Sequence, residues 1–480
     1  MKIYTTIVAL LLTCAHSWAN ERLNVVLFFT DDMGYGQVQR FHPEKSKVPT
    51  PHLNNLCDEG MMFTDAHTSS SVCTPSRYSL LTGRYNWRSK HQRGVTGGGR
   101  PCLITEDRRS LAHLFKDQGY NTAMFGKWHL DFRYRNVPNA EKLEYVRDKW
   151  NFGRPKGTKI LDGPVHRGFD HFRGFHHSGS MSSIIVDDEV QEYVECVNIM
   201  SHLTDAVVEY IDTQSQTPEP FFLYYPMNSP HAPVVPQEEW KERGVVEDPW
   251  GYSAFVAQTD DAIGQVLSAL ERNGIAENTI ILFATDNGCH IKPQSFFSQG
   301  HEVSGPFRGK KKSLYDGGHR TPFIVKWPGL TTPGSRSNIL LCMTDVYATF
   351  SDYFTATYDA NTAEDSISFF PALQGQALTK KRKTIVHHDY DGHFAIRKNN
   401  YKLILKADTL QKELTGVEKK VQLYDLDADI AEANNIANQN PEIVDELITL
   451  LEQQVEAGRI TPGPRVSNDT HVDIWKYSNK

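Results

Sequence analysis

Five short apolar segments constrain the fold of this chain more than any other feature. Each is four to seven residues long and is flanked by turn residues, which is typical of strands buried on both faces of a parallel sheet. Helical patterns at 109–118, 199–211 and 252–272 lie between them, so strands and helices alternate. We therefore expect an α/β fold in which helices sandwich a large mixed, mostly parallel sheet. The apolar segments are residues 23–29, 122–125, 221–225, 280–284 and 322–327.

The pattern changes near residue 358. Beyond it, four short segments have the composition of antiparallel strands and a helical pattern follows at 441–457. The sequence thus predicts a leader at 1–19, an α/β domain at 20–357 and a smaller C-terminal α+β domain at 358–480. The loop 134–168 is charged and rich in glycine and proline, so we expect it to form an insertion beside a binding site. The four predicted strands are 383–390, 393–397, 401–406 and 421–425.

The first nineteen residues have the pattern of a secretion signal: a positive start at Lys2, an apolar centre, and Ser17-Trp18-Ala19 before Asn20. This predicts a periplasmic or secreted protein. A lipid anchor at Cys14 is the less favoured alternative, because threonine precedes that cysteine. No later run approaches the ~20 apolar residues of a membrane span, so no transmembrane segment is expected.

The formal net charge of −7 argues against a nucleic-acid partner and requires that any anionic ligand be bound by a local positive pocket. Of seven cysteines, Cys14 lies in the leader, and none of the other six forms a Cys-x-x-Cys pair or a zinc-type spacing. If Cys73 is kept for chemistry, five remain, and at most one or two disulfides are expected.

Polar residues follow four of the apolar segments. They are Thr30-Asp31-Asp32, Gly126-Lys127-Trp128-His129, a segment ending in Pro230-His231, and Thr285-Asp286-Asn287-Gly288. In open α/β sheets, ligands bind at the carboxyl ends of the strands. We therefore expect these four clusters to converge on one crevice.

The most specific motif is Ser71-Val72-Cys73-Thr74-Pro75-Ser76-Arg77, followed by Leu80-Leu81-Thr82-Gly83-Arg84. Pro75 suits the first turn of a helix, which places Cys73 at or just before a helix N-terminus that favours an anion. An unmodified thiolate would be an activated nucleophile there. The alternative without a function is an ordinary small buried cysteine.

The chain here resembles the type I, formylglycine-dependent sulfatases of the alkaline phosphatase superfamily, whose hallmark is Cys-x-Pro-Ser-Arg ahead of Leu-Thr-Gly-Arg. Further blocks match in the family's order, over roughly residues 23 to 330. The resemblance implies an alkaline phosphatase-like fold and a maturation enzyme that oxidises Cys73 to formylglycine. The hydrated aldehyde would then attack sulfur, while Arg77 orients it and holds negative charge.

The resemblance also implies a cation site formed by Asp31, Asp32, residue 73, Asp286 and Asn287. Oxygen donors of this kind suit a hard cation, and the several carboxylates favour Ca²⁺ over Mg²⁺ or zinc. Taken alone, either acidic block could instead be a helix cap or a strand-end turn. Three carboxylates left together without a cation would repel one another.

Lys127, His129, His231 and Lys311 match the remaining catalytic positions of the family. The resemblance implies that Lys127 binds the sulfate, that His129 contacts the formylglycine hydroxyl and that His231 donates a proton to the leaving alcohol. In the family, the catalytic lysine lies four positions before an aromatic residue. Counting back four positions from Tyr315 selects Lys311, and Lys310 and Lys312 remain alternatives. A lone histidine between prolines, or a lysine triplet, can also consist of solvent-exposed residues without a catalytic role.

A sulfated polysaccharide or oligosaccharide is the expected substrate, on the basis of this resemblance. The candidate sugar contacts are Arg93, Arg100, Arg167, Arg173, His176, His177 and His301. Three rival functions stay open. They are a phosphonate or phosphodiester hydrolase on the same fold, a non-catalytic protein that binds sulfated glycans, and a cysteine hydrolase that pairs Cys73 with His129 or His231.

Overall fold

A computed structural model describes residues 22–135, 153–243, 247–248, 250–378, 380–406 and 421–476. The predicted leader at 1–19 and the section 136–152 of the predicted insertion lie outside the described residues. Among the helices that are described, none combines the length and the apolar character that crossing a bilayer requires.

A twelve-stranded mixed sheet forms the centre of the molecule, in the order β13-β2-β12-β11-β1-β10-β4-β7-β8-β9-β6-β5. Its five central strands, from β11 to β7, are parallel. The strands are β1 Asn24–Thr30, β2 Met61–Phe63, β4 Asn121–Lys127, β5 Tyr134–Arg135, β6 Lys159–Ile160, β7 His171–Phe175, β8 Ser183–Val186, β9 Glu189–Tyr193, β10 Phe221–Pro226, β11 Thr279–Thr285, β12 Phe323–Lys326 and β13 Ser335–Ser337. A small separate pair joins β3 (Ala66–His67) to β14 (Leu341–Cys342).

Helices cover both faces of the sheet, as the alternating pattern predicts. In β1, Val25, Leu27 and Phe29 pack into the layer that contains α2, α3 and α8, whereas Val26 and Phe28 pack into the layer that contains α1, α4 and α6. This alternation explains why the strand is apolar throughout, since neither face meets water. The helices are α1 Pro51–Glu59, α2 Cys73–Thr82, α3 Leu111–Asp117, α4 Ile199–Gln214, α5 Glu238–Lys241, α6 Tyr252–Arg272, α7 Asp316–His319, α8 Asp345–Tyr353, α9 Phe370–Leu373 and α10 Pro441–Ala457.

All five apolar segments form strands of this sheet, so the predicted fold class is confirmed. The segment 322–327 differs from the others in direction, because β12 pairs antiparallel with both β11 and β2. The sheet is therefore parallel in its centre and mixed toward its edges.

A four-stranded antiparallel sheet, β15-β16-β17-β18, follows in the C-terminal region, and α10 packs against it. Its strands are β15 Thr384–His388, β16 Phe394–Lys398, β17 Tyr401–Ile404 and β18 Gln422–Asp425. They coincide with the four predicted segments. The position of the domain boundary at 358 stays a prediction.

The six cysteines in the described residues are all buried free thiols. This is consistent with the expectation of at most one or two disulfides.

A buried polar chain ties this second sheet to the loop before Cys73. The ammonium of Lys402 lies 2.7 Å from Asp316 Oδ1, 2.8 Å from Glu432 Oε1 and 3.2 Å from His319 Nε2. The Nδ1 atoms of His319 and His67 are 3.0 Å apart. These side chains are almost fully buried, so the contacts satisfy groups that would otherwise be costly in the interior.

Candidate active site

Cys73 is the first residue of α2, and the whole helix is buried. Its Sγ lies 3.4 Å from Asp31 Oδ1 and 3.3 Å from Lys311 Nζ. The helix ends at Gly83, whose left-handed φ of 64° suits glycine. Cys73 thus stands at a helix N-terminus, between an anion and a cation.

Arg77 follows one turn later and is fully buried. Its Nε and Nη2 donate to Asp286 Oδ2 at 3.1 and 2.8 Å, and its Nη1 donates to the Lys127 carbonyl at 3.0 Å. Burial lowers the pKa of this guanidinium, but Asp286 and Asp31 outweigh burial and raise it. Arg77 is therefore a fixed positive charge that holds Asp286 in place.

The predicted cation ligands meet at the carboxyl ends of two adjacent strands, β1 and β11. Backbone bonds set their positions: Asp286 N donates to the Thr30 carbonyl and Asp32 N donates to Asp286 Oδ1, at 3.0 and 3.1 Å. Asn287 Nδ2 donates to Asp32 Oδ1 at 2.7 Å. Burial and the charge of Asp31 raise the pKa of Asp286 to about 7.

The residues present fit a hard divalent cation. Asn287 Oδ1 is buried and has no hydrogen-bond partner among the described residues, which is unusual for a buried amide oxygen. One potential ligand atom from each of Asp31, Asp32, Cys73 and His231 lies within 4.8 Å of the others. Asp31 and Asp32 contribute carboxylate oxygens to this set, and carboxylate and amide oxygens suit calcium.

Two lysines complete the charge pattern. Lys127, at the end of β4, is in contact with Asp31, and Lys311 Nζ lies 2.6 Å from Asp32 Oδ1. Three carboxylates thus face three basic side chains, including Arg77. A divalent cation would leave an excess of two positive charges in the pocket, which suits an anionic substrate group.

His129 lies two residues beyond β4 and is buried, with a left-handed φ of 56°. Its Nε2 is 3.1 Å from the Thr96 carbonyl, while Nδ1 has no partner among the described residues. Burial, with Lys127 next in importance, holds its pKa well below the usual value. The ring is therefore neutral, and donation from Nε2 to the carbonyl leaves a lone pair on Nδ1.

His231 reaches the same cluster from the loop after β10. Its Nε2 is 3.6 Å from Asp32 Oδ2, and its Nδ1 contacts Ser178 Oγ at 3.1 Å and also the Ala232 carbonyl. Burial, followed by Lys311, lowers its pKa to about 4. Because the Ala232 carbonyl can only accept a hydrogen bond, the ring carries its proton on Nδ1. The unprotonated Nε2 points toward the cluster.

Among the three consecutive lysines, Lys311 alone contacts Cys73 in the described residues. Lys310 Nζ donates instead to the His290 carbonyl at 2.9 Å, and Lys312 lies over the ring of Tyr390. The backbone of Lys312 has a left-handed φ of 75°.

The candidate sugar contacts divide into two groups. His176 and His177 lie beside His129, with ring centroids 5.8 and 5.9 Å from its ring, and Arg93 and Arg100 are exposed. The remaining three have contacts elsewhere: Arg167 Nε donates to the Ile104 carbonyl, Arg173 pairs with Glu192, and His301 Nδ1 accepts from Lys47 N.

Three residues of the site were missed by the sequence analysis. His290 Nδ1 lies 3.3 Å from Asp32 Oδ2, Thr96 supplies the carbonyl for His129, and Ser178 contacts His231. His290 is four residues after Asp286, so its proximity in sequence is a signal that was available. Thr96 and Ser178 carry no local signal, because only the tertiary fold brings them to the cluster.

Gly126, the residue before Lys127, sets the spacing of two central strands. A Cβ at this position would lie 2.1 Å from the Pro226 carbonyl oxygen, and φ is 125°. We expect Gly126→Ala to lower the free energy of unfolding by about 2–4 kcal/mol and to displace Lys127. Urea unfolding measures the change.

The control is Gly97→Ala, because no heavy atom lies within 4 Å of a Cβ built there. Equal stability of both variants would contradict the steric account.

The mixed sheet, and the cluster at the ends of its central strands, are those of an alkaline phosphatase-like hydrolase. A family model described as Sulfatase matches residues 23–359, and one described as N-sulphoglucosamine sulphohydrolase, C-terminal, matches residues 307–460. The chain therefore belongs to the sulfatase family, and its reaction is the hydrolysis of sulfuric esters.

Similar proteins cover 90% of this chain. N-acetylgalactosamine-6-O-sulfatase of Bacteroides thetaiotaomicron is 29% identical, over 90% of this chain and 93% of its own length. A solved sulfatase structure from work on the metabolism of multiple glycosaminoglycans by Bacteroides thetaiotaomicron has a TM-score of 0.75 at 26% identity, over 90% of this chain and 99% of that one. The phosphonate monoester hydrolase of Agrobacterium radiobacter shares the fold, with a TM-score of 0.60 at 16% identity, over 90% of this chain and 96% of that one.

Proposed function

We propose that this sulfatase cleaves sulfate esters of a glycan with a formylglycine made from Cys73 and with a bound Ca²⁺. The observation that carries the proposal is the position of Cys73, which lies at the N-terminus of a buried helix between Asp31 and Lys311. Around it, three carboxylates and an unpartnered amide oxygen supply the donors for a hard cation.

The modified residue supplies a hydrated aldehyde as nucleophile, and the cation supplies positive charge for the sulfate oxygens. Asp31, Asp32, Asp286 and Asn287 would hold the cation. Arg77 keeps Asp286 in position through its two hydrogen bonds. The protein thus presents fixed charges before the substrate arrives, which is the arrangement that lowers a barrier most effectively.

Each remaining side chain has a task that follows from its protonation. Lys127 and Lys311 bind sulfate oxygens, because their ammonium groups lie at the carboxylates beside Cys73. His129 is neutral with a free lone pair on Nδ1, so it accepts a proton from the nucleophilic hydroxyl. His231 directs Nε2 toward the cluster, but its neutral ring carries the proton on Nδ1. Nε2 must therefore take up a proton before it can donate one to the leaving alcohol.

A sulfated polysaccharide or its oligosaccharides is the proposed substrate. The similarity to an N-acetylgalactosamine-6-O-sulfatase supports this class. The predicted leader supports export to the periplasm or the medium, and a formylglycine-generating enzyme is the proposed maturation partner.

The three rival functions predict different experimental results. A phosphonate or phosphodiester hydrolase would turn over an aryl phosphodiester faster than an aryl sulfate. A cysteine hydrolase needs a thiolate, but burial, together with Asp286 and Asp31, raises the pKa of the Cys73 thiol. A glycan-binding protein without activity would bind sulfated sugars and release no sulfate.

The proposal is tested with matured protein by measuring sulfate release from 4-nitrophenyl sulfate and from N-acetylgalactosamine 6-sulfate, alongside bis(4-nitrophenyl) phosphate. Sulfate release that exceeds phosphodiester turnover supports it. Faster phosphodiester turnover, or loss of activity on thiol alkylation, would refute it.

Removal of calcium is expected to inactivate the protein and also to lower its free energy of unfolding, because an ion that binds only the folded state stabilises that state. Calcium at about 100 times its Kd should add about 2.7 kcal/mol to the free energy of unfolding. Thermal unfolding after EDTA treatment, with and without added CaCl2, measures this apart from activity.

Magnesium at the same concentration is the control, and a smaller shift is expected from it. An EDTA-treated, metal-free protein with full activity and an unchanged melting temperature would rule out the cation.

A further inference from the structure

Lys312 follows the catalytic Lys311 in sequence but lies outside the catalytic cluster. Its backbone N–H donates to the Ser71 carbonyl at 2.9 Å, two residues before Cys73. The left-handed φ of 75° directs its side chain away from that of Lys311. Whereas Lys311 Nζ is 3.3 Å from Cys73 Sγ, Lys312 Nζ lies 4.5 Å from the centroid of the Tyr390 ring.

Tyr390 is anchored to loops on both sides of the nucleophile. Two residues before it, the His388 carbonyl accepts from Ser71 N at 3.3 Å, and the carbonyl of Tyr390 itself accepts from Gly94 N at 2.7 Å. The loop that contains Gly94 continues to Thr96, whose carbonyl contacts His129. The ring is 37% exposed although its backbone is fixed, so it offers a rigid aromatic surface to a ligand.

Arg93 supplies a second positive charge near Lys312 and Tyr390. It is exposed, and a Cβ at Gly392, two residues after Tyr390, would lie 3.3 Å from Arg93 Cβ. Within the described part of the chain, no carboxylate lies within 4.0 Å of the charged groups of Arg93 or Lys312. The cations of the catalytic cluster, in contrast, are all paired.

Two exposed cations without a carboxylate partner among the described residues, one of them lying over a fixed aromatic ring, have the chemistry that binds an acidic sugar. The ring can stack on the apolar face of a pyranose, and the cations can pair with a sulfate or a carboxylate. In a chain of net charge −7, such a local positive surface also attracts a polyanion.

We propose that Arg93, Lys312 and Tyr390 form a subsite for a second anionic group, a sulfate or a carboxylate, on the sugar next to the one that is desulfated. We call these three residues the rim subsite. The proposal rests on the proposed function, and it deepens it by assigning the substrate to glycans with more than one negative charge.

The test is binding to the Cys73→Ala protein, which keeps the ligand intact, measured by titration calorimetry. The probes share one sulfated sugar: N-acetylgalactosamine 6-sulfate, its unsaturated chondroitin disaccharide with one uronate carboxylate, and the same disaccharide with a 2-sulfate on the uronate. The proteins compared carry Lys312→Gln with Arg93→Gln, Tyr390→Ala, or the control Arg465→Gln. Arg465 is suitable because its side chain is 70% exposed and pairs with Glu456 on α10.

We expect the disaccharides to bind more tightly than the monosaccharide. The double substitution should lower the ratio of disaccharide to monosaccharide affinity by about tenfold. Tyr390→Ala should weaken both disaccharides, and Arg465→Gln should leave the preference unchanged. A larger effect on the disaccharide with the 2-sulfated uronate than on the one with the unsulfated uronate identifies a sulfate as the group recognised, and equal effects identify the carboxylate.

The proposal is overturned if the parent protein shows no preference for the charged disaccharides, or if the double substitution leaves the preference intact. Failure of the proposed function is a separate result, because it appears as absence of sulfate release by matured protein. In the parent protein, the preference for the disaccharides should fall at high ionic strength. In the double variant, high ionic strength should change the small remaining preference little, and this difference would add independent support.

Discussion

Replacement of Cys73 by alanine is expected to abolish sulfate release, with a loss of at least about 10³-fold in kcat. The reason is that alanine has no thiol from which the aldehyde can be made, and no group that can attack the sulfur of the substrate. The contacts of Cys73 Sγ with Asp31 and Lys311 show that this one atom faces both signs of charge. The measurement is turnover of 4-nitrophenyl sulfate by purified protein at equal concentrations.

Mass spectrometry of the peptide around residue 73 should show the aldehyde in the active parent protein. The control is Cys57→Ala in α1, another buried cysteine, which should keep its activity and its aldehyde. Undiminished turnover by Cys73→Ala would end the mechanism, and a free thiol in a fully active parent protein would do the same.

Substitution of Arg77 by alanine should cost both stability and activity. The guanidinium is fully buried and bonds Asp286 through two nitrogens. Its loss leaves a buried carboxylate without its partner, which destabilises a protein by about 3–5 kcal/mol. Denaturant unfolding gives the stability, and turnover per folded molecule gives the activity.

Arg88 provides the matched control, because it is equally buried and bonds Asp365 through two nitrogens at 2.8 and 2.9 Å. Arg88→Ala should lose comparable stability but keep the activity of the folded fraction. Arg77→Lys, which retains the charge, should fold better than Arg77→Ala and remain impaired. If the two alanine variants kept equal activity per folded molecule, Arg77 would have only a structural role.

The centre of the fold could be predicted from sequence because buried parallel strands are apolar on both faces. Each of the five apolar segments is long enough to be recognised, as in β1 and β11. The edges of the sheet could not be predicted, since β5 and β6 have two residues each and β13 is Ser335–Ser337. Strands of this length have no periodicity, and their partners in the sheet define them.

The convergence of polar residues could also be predicted, because strand ends lie at one edge of a parallel sheet. Asp31, Lys127, His231 and Asp286 indeed come together there. The support around them could not be predicted, as His129 shows: its backbone oxygen partner is Thr96, 33 positions away. Contacts of this kind depend on loop conformations that leave no pattern in the residues themselves.

The loop that leads to Cys73 is completed by a partner made much later in synthesis. Ser70 Oγ donates to the His388 carbonyl at 2.9 Å, across 318 positions of sequence, and Cys73 itself is only 1% exposed. Residue 388 must therefore be synthesised before this contact can form. If Cys73 is oxidised as proposed, the oxidising enzyme has to reach it before it is enclosed, and protein that folds first would keep its thiol and stay inactive.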